Sequence, residues 1–367
     1  MFRMSERIEI KIRLNNKKTL LNSKKHLDVT KTLPINENSR KNAFFIEGGG
    51  TRGLYAIGAL KYLFEENPYI RLGDIDIFGG TSVGSYLATA LSLGYNKDDL
   101  LEISKDIDLG NLLDSKYLFM VTLYRFMCRG YLYDDFGRRD IIEKILNFKI
   151  GTIQKHLGEK VAGIDLTFGH CKKLIAIHPT IYKHLIINVV DISRSDQIFM
   201  TSLDDKWTNI KLFDAILASS AIPFVFKPSS LYYSPNTNTY GYSKTDNSTI
   251  SLLIDGGVST NNPLDYFLIN DELYSNYELW LLKFSSDPTY VKIDGALSLI
   301  KQLIGYLVGG KNDVKMDLII EEYQINTINL NCVGGILDIY PPEKIQTIIN
   351  EIYDDCLSGK ISFGKTL

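Results

Sequence analysis

The sequence predicts an α/β fold, in which a central, mainly parallel sheet is covered by helices on both faces, with an N-terminal arm before it and helices after it. Three observations carry this expectation. Short apolar runs end in glycine turns and pass at once into stretches of helical period, at Ala43–Ile46 with 54–66 and at Ile75–Phe78 with 83–93. Two strand–turn–helix units so close together imply strands that run parallel and are buried on both sides. The composition, 45% hydrophobic and 23% charged over 367 residues, allows a large core and excludes disordered, collagen-like and disulfide-scaffold chains.

Taken in order, the first element is a basic arm. Residues 1–42 carry 11 basic and 4 acidic side chains (+7), against 30 and 39 in the remainder (−9), although the whole chain is only −2. Within the arm Ile8, Ile10, Ile12 and Leu14 alternate with Arg7, Glu9, Lys11 and Arg13, the period of one amphipathic strand. A polar linker follows through Asn36, Asn38 and Ser39. The arm reads as a solvated extension or as a segment drawn to an anionic membrane surface.

After the two strand–turn–helix units, further strands are expected at 161–168, 174–177, 186–190, 198–200, 251–254 and 277–284. A polar surface loop or hairpin is expected at 229–250, and helices at 297–308 and 343–356. The aromatic and methionine stripe from Tyr117 to Tyr133 is expected to pack in the core or between domains rather than face lipid. The implied organisation is a basic extension (1–42), a main domain (43–290) and a mainly helical region packed on it (291–367). Cys128, Cys171, Cys332 and Cys356 are scattered, which points to a reducing compartment and against a zinc site. No 18-residue apolar run and no signal-peptide core is present, so a soluble intracellular protein with peripheral membrane association is expected.

The strongest chemical signal is Gly80-Thr81-Ser82-Val83-Gly84, a G-x-S-x-G sequence between a strand and a helix. A sharp turn needs small neighbours around the serine, and the helix behind Ser82 points its amides and positive dipole end at developing negative charge. A second signal is Gly48-Gly49-Gly50-Thr51-Arg52-Gly53, whose exposed amides suit an oxyanion or a phosphate. The same residues match G-x-G-x-x-G, so a dinucleotide-binding enzyme is an alternative. That reading needs an acidic residue at the end of the next strand, where Asp74 and Asp76 come too early.

A serine nucleophile needs a base. The histidines are His26, His156, His170, His178 and His184, and none follows position 184, where the usual Ser, Asp, His order would place one. Asp255-Gly256-Gly257, after the apolar run 252–254, puts a carboxylate at a strand's C-terminal end, and it also reads as an ordinary turn.

Together these residues resemble the patatin-like phospholipases, serine lipid acyl hydrolases with a Ser-Asp dyad. The resemblance spans 43–264 and includes Ala218-Ser219-Ser220-Ala221-Ile222-Pro223, Phe226-Lys227-Pro228 and Asn261-Asn262-Pro263. It implies the family's three-layer α/β/α fold, with Ser82 as nucleophile, Asp255 as base, amides of Gly48–Gly53 around Gly49 and Gly50 as the oxyanion hole, and Arg52 at the family's basic position. It implies no cofactor or metal. The substrates would be phospholipids or other acyl lipids at a membrane surface, with room for an activating protein partner and no role for nucleic acid. The stretch 229–250 is longer than the family's usual connection. A catalytically silent lipid-binding protein is the remaining alternative.

Overall fold

The computed structural model describes residues 41–66, 70–107, 110, 119–269, 275–286, 290–308, 314–333, 335–336, 338–361 and 363–364. The alternating segment around Ile8–Leu14 and the linker after it lie outside these residues. The strands are β1 (Lys41–Ile46), β2 (Ile75–Gly80), β3 (His184–Asp191), β4 (Asp196–Thr201), β5 (Ser229–Ser234), β6 (Thr239–Gly241), β7 (Thr249–Asp255), β8 (Tyr277–Ser285), β9 (Asn326–Asn331) and β10 (Phe363–Gly364). The helices are α1 (Gly53–Glu65), α2 (Val83–Ser92), α3 (Lys97–Asp106), α4 (Phe119–Arg129), α5 (Phe136–Phe148), α6 (Ile150–Leu157), α7 (Phe168–Ile177), α8 (Leu212–Ser219), α9 (Asp265–Leu268), α10 (Ala296–Val308), α11 (Val314–Glu322) and α12 (Pro342–Leu357).

All ten strands join one sheet in the order β10-β9-β8-β1-β2-β3-β7-β5-β6, with β4 also on β3. The centre, from β9 through β8, β1 and β2 to β3, is parallel, and the flanking pairs are antiparallel. Strand β1 shows why the core has two halves. Phe44 and Ile46 point into a cluster with Leu54, Leu60 and Tyr86 of α1 and α2, while Ala43 and Phe45 point into one with Phe267 of α9 and Met316 and Ile320 of α11. Alternation of period two thus sends apolar side chains to both faces, and a strand covered on both sides reads as a continuous apolar run.

Two expected strands are not strands. Residues 174–177 end α7, and 161–168 hold a 3-10 turn at Gly163–Asp165 and the cap of that helix. Thr167 Oγ1 accepts from His170 N (3.3 Å) and His170 Nδ1 accepts from Thr167 N (3.0 Å), a reciprocal cap that starts a helix whose buried face is Phe168, Cys171 and Leu174. Of the stripe from Tyr117 to Tyr133, Tyr117 lies outside the described residues; Tyr124 (70%) and Met127 (76%) of α4 are exposed, against expectation, whereas Tyr131 is buried as expected. The stretch 229–250 forms the β5–β6 hairpin against β7. After residue 290, β9 extends the sheet beside β8 and α12 packs along α1, so this region supplies a strand as well as helices.

Strand β3 sets up the site. β4 runs along its residues 186–191, so β2, at 184–187, and β7, at 189–191, must share the opposite edge. β2 runs parallel to β3 and β7 antiparallel to it, so their C-terminal ends converge at Asn188. Those ends lead into Ser82 and finish at Asp255.

Candidate active site

Ser82 lies between β2 and α2 with φ 52° and ψ −125°, a positive φ that a non-glycine residue adopts only when its surroundings enforce it. The flanking glycines permit the turn by close approach. A Cβ on Gly80 would lie 2.1 Å from Gly84 O, and one on Gly84 would lie 2.2 Å from Ile46 O. Hydrogen bonds then lock the turn: Ser85 Oγ donates to Ser82 O (2.6 Å), Gly84 N to Thr81 O (2.8 Å) and Ser82 N to Ser219 Oγ (3.0 Å).

Asp255 ends β7 fully buried. Its Oδ1 accepts from Gly257 N (2.8 Å), and its own N donates to Ala221 O (3.0 Å). Burial raises its pKa to about 7, opposed by the Ser82 hydroxyl, the Gly257 amide and the positive charge of Arg138. The serine hydroxyl is therefore close enough to favour the carboxylate, while Asp255 Oδ2 has no partner in full hydrogen-bond geometry. A carboxylate that titrates near 7 is a far better base for an alcohol than one near 3.8.

The glycine turn stands against the elbow, since a Cβ on Gly48 would lie 3.1 Å from that of Ser82. Gly50 has φ +57°, and a Cβ there would be 1.9 Å from Ile336 O. Of the turn's amides, Gly48 N donates to Asn261 O, Thr51 N to Ile336 O, and Arg52 N to Gly49 O. The Gly49 and Gly50 amides have no acceptor among the described residues and remain available to an oxyanion. Arg52 is buried and its Nη2 donates to Ser286 Oγ (3.2 Å).

An apolar cavity of about 120 Å³ opens beside Ser82. One stripe of α2, formed by Val83, Tyr86, Leu87 and Ala90, lines it, with Leu54 and Ile57 of α1, Leu100 and Ile103 of α3, and Ile141 and Ile145 of α5. Along α2 these positions span roughly 10 Å. No histidine lines it. His156 contacts Tyr182, His170 caps α7 and His184 contacts Ser202, so their roles are structural. Among the described residues no three His, Cys, Asp or Glu side chains cluster as a metal centre requires. Asp76 lies at the start of β2, where its Oδ2 accepts from Asn42 N (3.2 Å), so the acidic partner of a dinucleotide ribose is missing from the strand's end.

Four supporting residues have roles that the motifs did not assign. Ser219 Oγ donates to Asn188 O (2.7 Å) while accepting from Ser82 N. Asn188 Nδ2 reaches Thr81 Oγ1, Gly256 O and Thr260 O, which ties both strand ends together. Asn261 Nδ2 donates to Gly48 O (2.8 Å). Arg138, also buried, donates to Leu217 O (2.7 Å), Ser220 Oγ (3.3 Å) and Lys227 O (3.0 Å) and stacks 4.7 Å from the Phe226 ring. The sequence did carry one signal for it, a charge on the same helical stripe as Ile141, Ile142 and Ile145.

The family profile described as patatin-like phospholipase matches residues 44–268. The chain is 49% identical over 365 residues to uncharacterised protein L620 of Acanthamoeba polyphaga mimivirus, covering 97% of each. It is 30% identical over 232 residues to a cGAMP-activated phospholipase of Vibrio cholerae, a match covering 59% of this chain and 54% of that one. The chain thus spans about half the length of that bacterial relative. The structure of VipD from Legionella pneumophila aligns at 14% identity and a TM-score of 0.47, over 87% of this chain and 66% of that one.

Proposed function

The chain belongs to the patatin-like phospholipase family, which supports lipid hydrolase activity, and from that premise we propose that it cleaves fatty-acyl esters of phospholipids or related lipids through a Ser82–Asp255 dyad. The observation that carries the proposal is the strained Ser82 beside a buried carboxylate of pKa about 7, at the mouth of an apolar cavity.

The acyl chain lies in the cavity along α2 and brings its ester carbonyl to Ser82. As the hydroxyl oxygen bonds to the carbonyl carbon, its proton passes to Asp255. The resulting oxyanion is met by the Gly49 and Gly50 amides and by the N-terminus of α2, donors fixed before the reaction begins. Protonated Asp255 returns its proton to the departing alcohol or lysolipid, leaving an acyl-serine. Water then attacks that ester, Asp255 takes its proton and hands it to the Ser82 oxygen as the acyl–serine bond breaks, and the fatty acid leaves with both residues restored. Arg138 acts from a distance: its charge favours the ionised Asp255, and its bonds to Leu217, Ser220 and Lys227 hold the segment that supports both Ser82 and Asp255.

Membrane lipid as substrate is supported by apolar side chains around the mouth. The inner stripe of α10, Ile300 and Ile304, packs with Ile222, Phe226 and Ile336, while Leu299, Leu303 and Tyr306 on the same helix are exposed. No described helix is long and apolar enough to cross a membrane.

The test is release of fatty acid from phospholipid vesicles and from a soluble p-nitrophenyl ester, with fluorophosphonate capture of the serine. Ser82→Ala is expected to abolish hydrolysis and capture, and Asp255→Asn to lower kcat by about 10³-fold or more. His170→Ala and His184→Ala are expected to retain activity. Two relatives are named for activation by cGAMP, so each assay is run with and without it. Vesicle binding without cleavage under both conditions would favour a silent lipid-binding protein instead.

A further inference from the structure

Glu47 follows β1 and immediately precedes the glycine turn, and its side chain is only 4% exposed. A buried carboxylate is costly unless something nearby uses it. Its Oε2 accepts from Phe284 N (3.2 Å) at the end of β8, and its Oε1 accepts a longer bond from Asn262 Nδ2 (3.4 Å). Both partners belong to walls of the glycine turn. The Phe284 ring occupies the place a side chain on Gly49 would need, 2.7 Å from its Cβ, and the residue before Asn262 holds Gly48 by two hydrogen bonds. The carboxylate therefore sits behind the turn and fastens the two segments that grip it.

We infer that Glu47 is a positioning residue that, as a carboxylate, draws Phe284 and Asn262 together and thereby fixes where the Gly49 and Gly50 amides point. The inference deepens the hydrolase reading and rests on it. A carboxylate accepts at both oxygens. Once protonated it carries an O–H donor and can no longer serve both N–H groups equally, so one wall is released and the oxyanion donors lose their set position. The charged groups acting on Glu47 are Lys283 of β8, which favours ionisation, and Asp317 of α11, which opposes it; these two pair with each other at 2.9 Å. Burial outweighs them and lifts the pKa to about 7. Full activity thus requires two ionised carboxylates, Asp255 as base and Glu47 as brace, both titrating in the same range.

Glu47→Gln copies the protonated brace. Its amide oxygen still accepts from Phe284 N, while its NH₂ faces the Asn262 amide donor. The variant should fold. The pKa of Glu47 is higher in the folded chain (about 7) than the ordinary 4.5, so the stability linked to this group is intact below 4.5 and lost as pH rises through 7. Above pH 7 the neutral glutamine is therefore at least as stable as the wild type, and a melting curve checks it.

The experiment is the pH dependence of kcat and KM for a soluble p-nitrophenyl ester, together with the rate of fluorophosphonate capture. In the wild type the acid limb of kcat should fall with second order over about the first pH unit below 7, until the roughly tenfold loss of the brace is complete, and with first order below that. Glu47→Gln should lower kcat about tenfold at pH 8 with KM within about twofold, and its acid limb should become first order. A folded Glu47→Gln enzyme whose kcat and second-order limb match the wild type overturns the inference and leaves the hydrolase reading standing. A wild type that neither hydrolyses nor is captured overturns the hydrolase reading and this inference with it.

Discussion

Ser82 holds a backbone conformation that costs a non-glycine residue roughly 1–3 kcal/mol, and Asp255 is a charge placed where burial penalises it. Both are stability given up at the position where chemistry is expected. For Asp255 the cost has a sign that can be measured. Its pKa in the folded chain, about 7, exceeds the ordinary 3.8, so the stability linked to this group is intact below 3.8 and lost as pH rises through 7. Asp255→Asn retains the acceptor for Gly257 N and carries no charge. The variant should match the wild type in Tm near pH 4 and exceed it above pH 7, by on the order of a few kcal/mol at most. A pH series of thermal melts decides this, and a wild type more stable than the variant at pH 8 would show the carboxylate to be well compensated. At this scale Ser82 and the glycines were legible because each is a local requirement, and Asp255 was singled out as a base through the family resemblance. Asn188 was not, since an asparagine in a strand carries no mark of what it will face, and Arg138 showed only as a charge on an apolar helical stripe, with nothing to say which segment it would hold.

At the scale of elements, the elbow was readable because an apolar run, small residues and a helical period adjoin in the chain. The stretch at 161–177 misled because a short apolar run fits a strand or a helix equally, and the reciprocal Thr167–His170 cap decided for the helix. Helix α10 shows the converse. Its period was plain, but not that one stripe would pack against Ile222, Phe226 and Ile336 of the cavity wall while Leu299, Leu303 and Tyr306 stay exposed. An apolar surface of this kind next to a cavity mouth should act on substrates held in an aggregate. Replacing Leu299, Leu303 and Tyr306 together by serine is expected to reduce hydrolysis of vesicle phospholipid at least about fivefold and leave kcat/KM for a soluble ester within about twofold. Equal losses on both substrates would assign the helix a purely structural role.

For the whole molecule, the segment after residue 290 is where sequence and structure differ most in consequence. It supplies β9, which covers the outer edge of β8, and α12, whose Ile345, Ile349 and Ile352 are buried. α12 lies so near α1 that a Cβ on Gly58 would stand 2.5 Å from Ile349 O. It also supplies Ile336 O, the acceptor that holds Thr51 N in the glycine turn. Truncation after residue 290 should therefore remove the cooperative thermal transition and expose apolar surface to a hydrophobic dye. A shortened chain that melts cooperatively would show that β8 and α1 tolerate exposure.

The sequence by itself determined the α/β class, the elbow and the glycine turn, while Asp255 was singled out as a base only through the resemblance to a known family. The first three are matters of backbone sterics or apolar period acting over a few neighbouring residues. Only the tertiary structure decided that β2 and β7 share one edge of β3 and bring Ser82 and Asp255 together. It also decided that Asp255 and Glu47 are buried deeply enough to titrate near 7 and that Ile336 closes the turn from far along the chain. Desolvation and hydrogen-bond partnership depend on which elements meet in space, and spacing along the chain does not encode that.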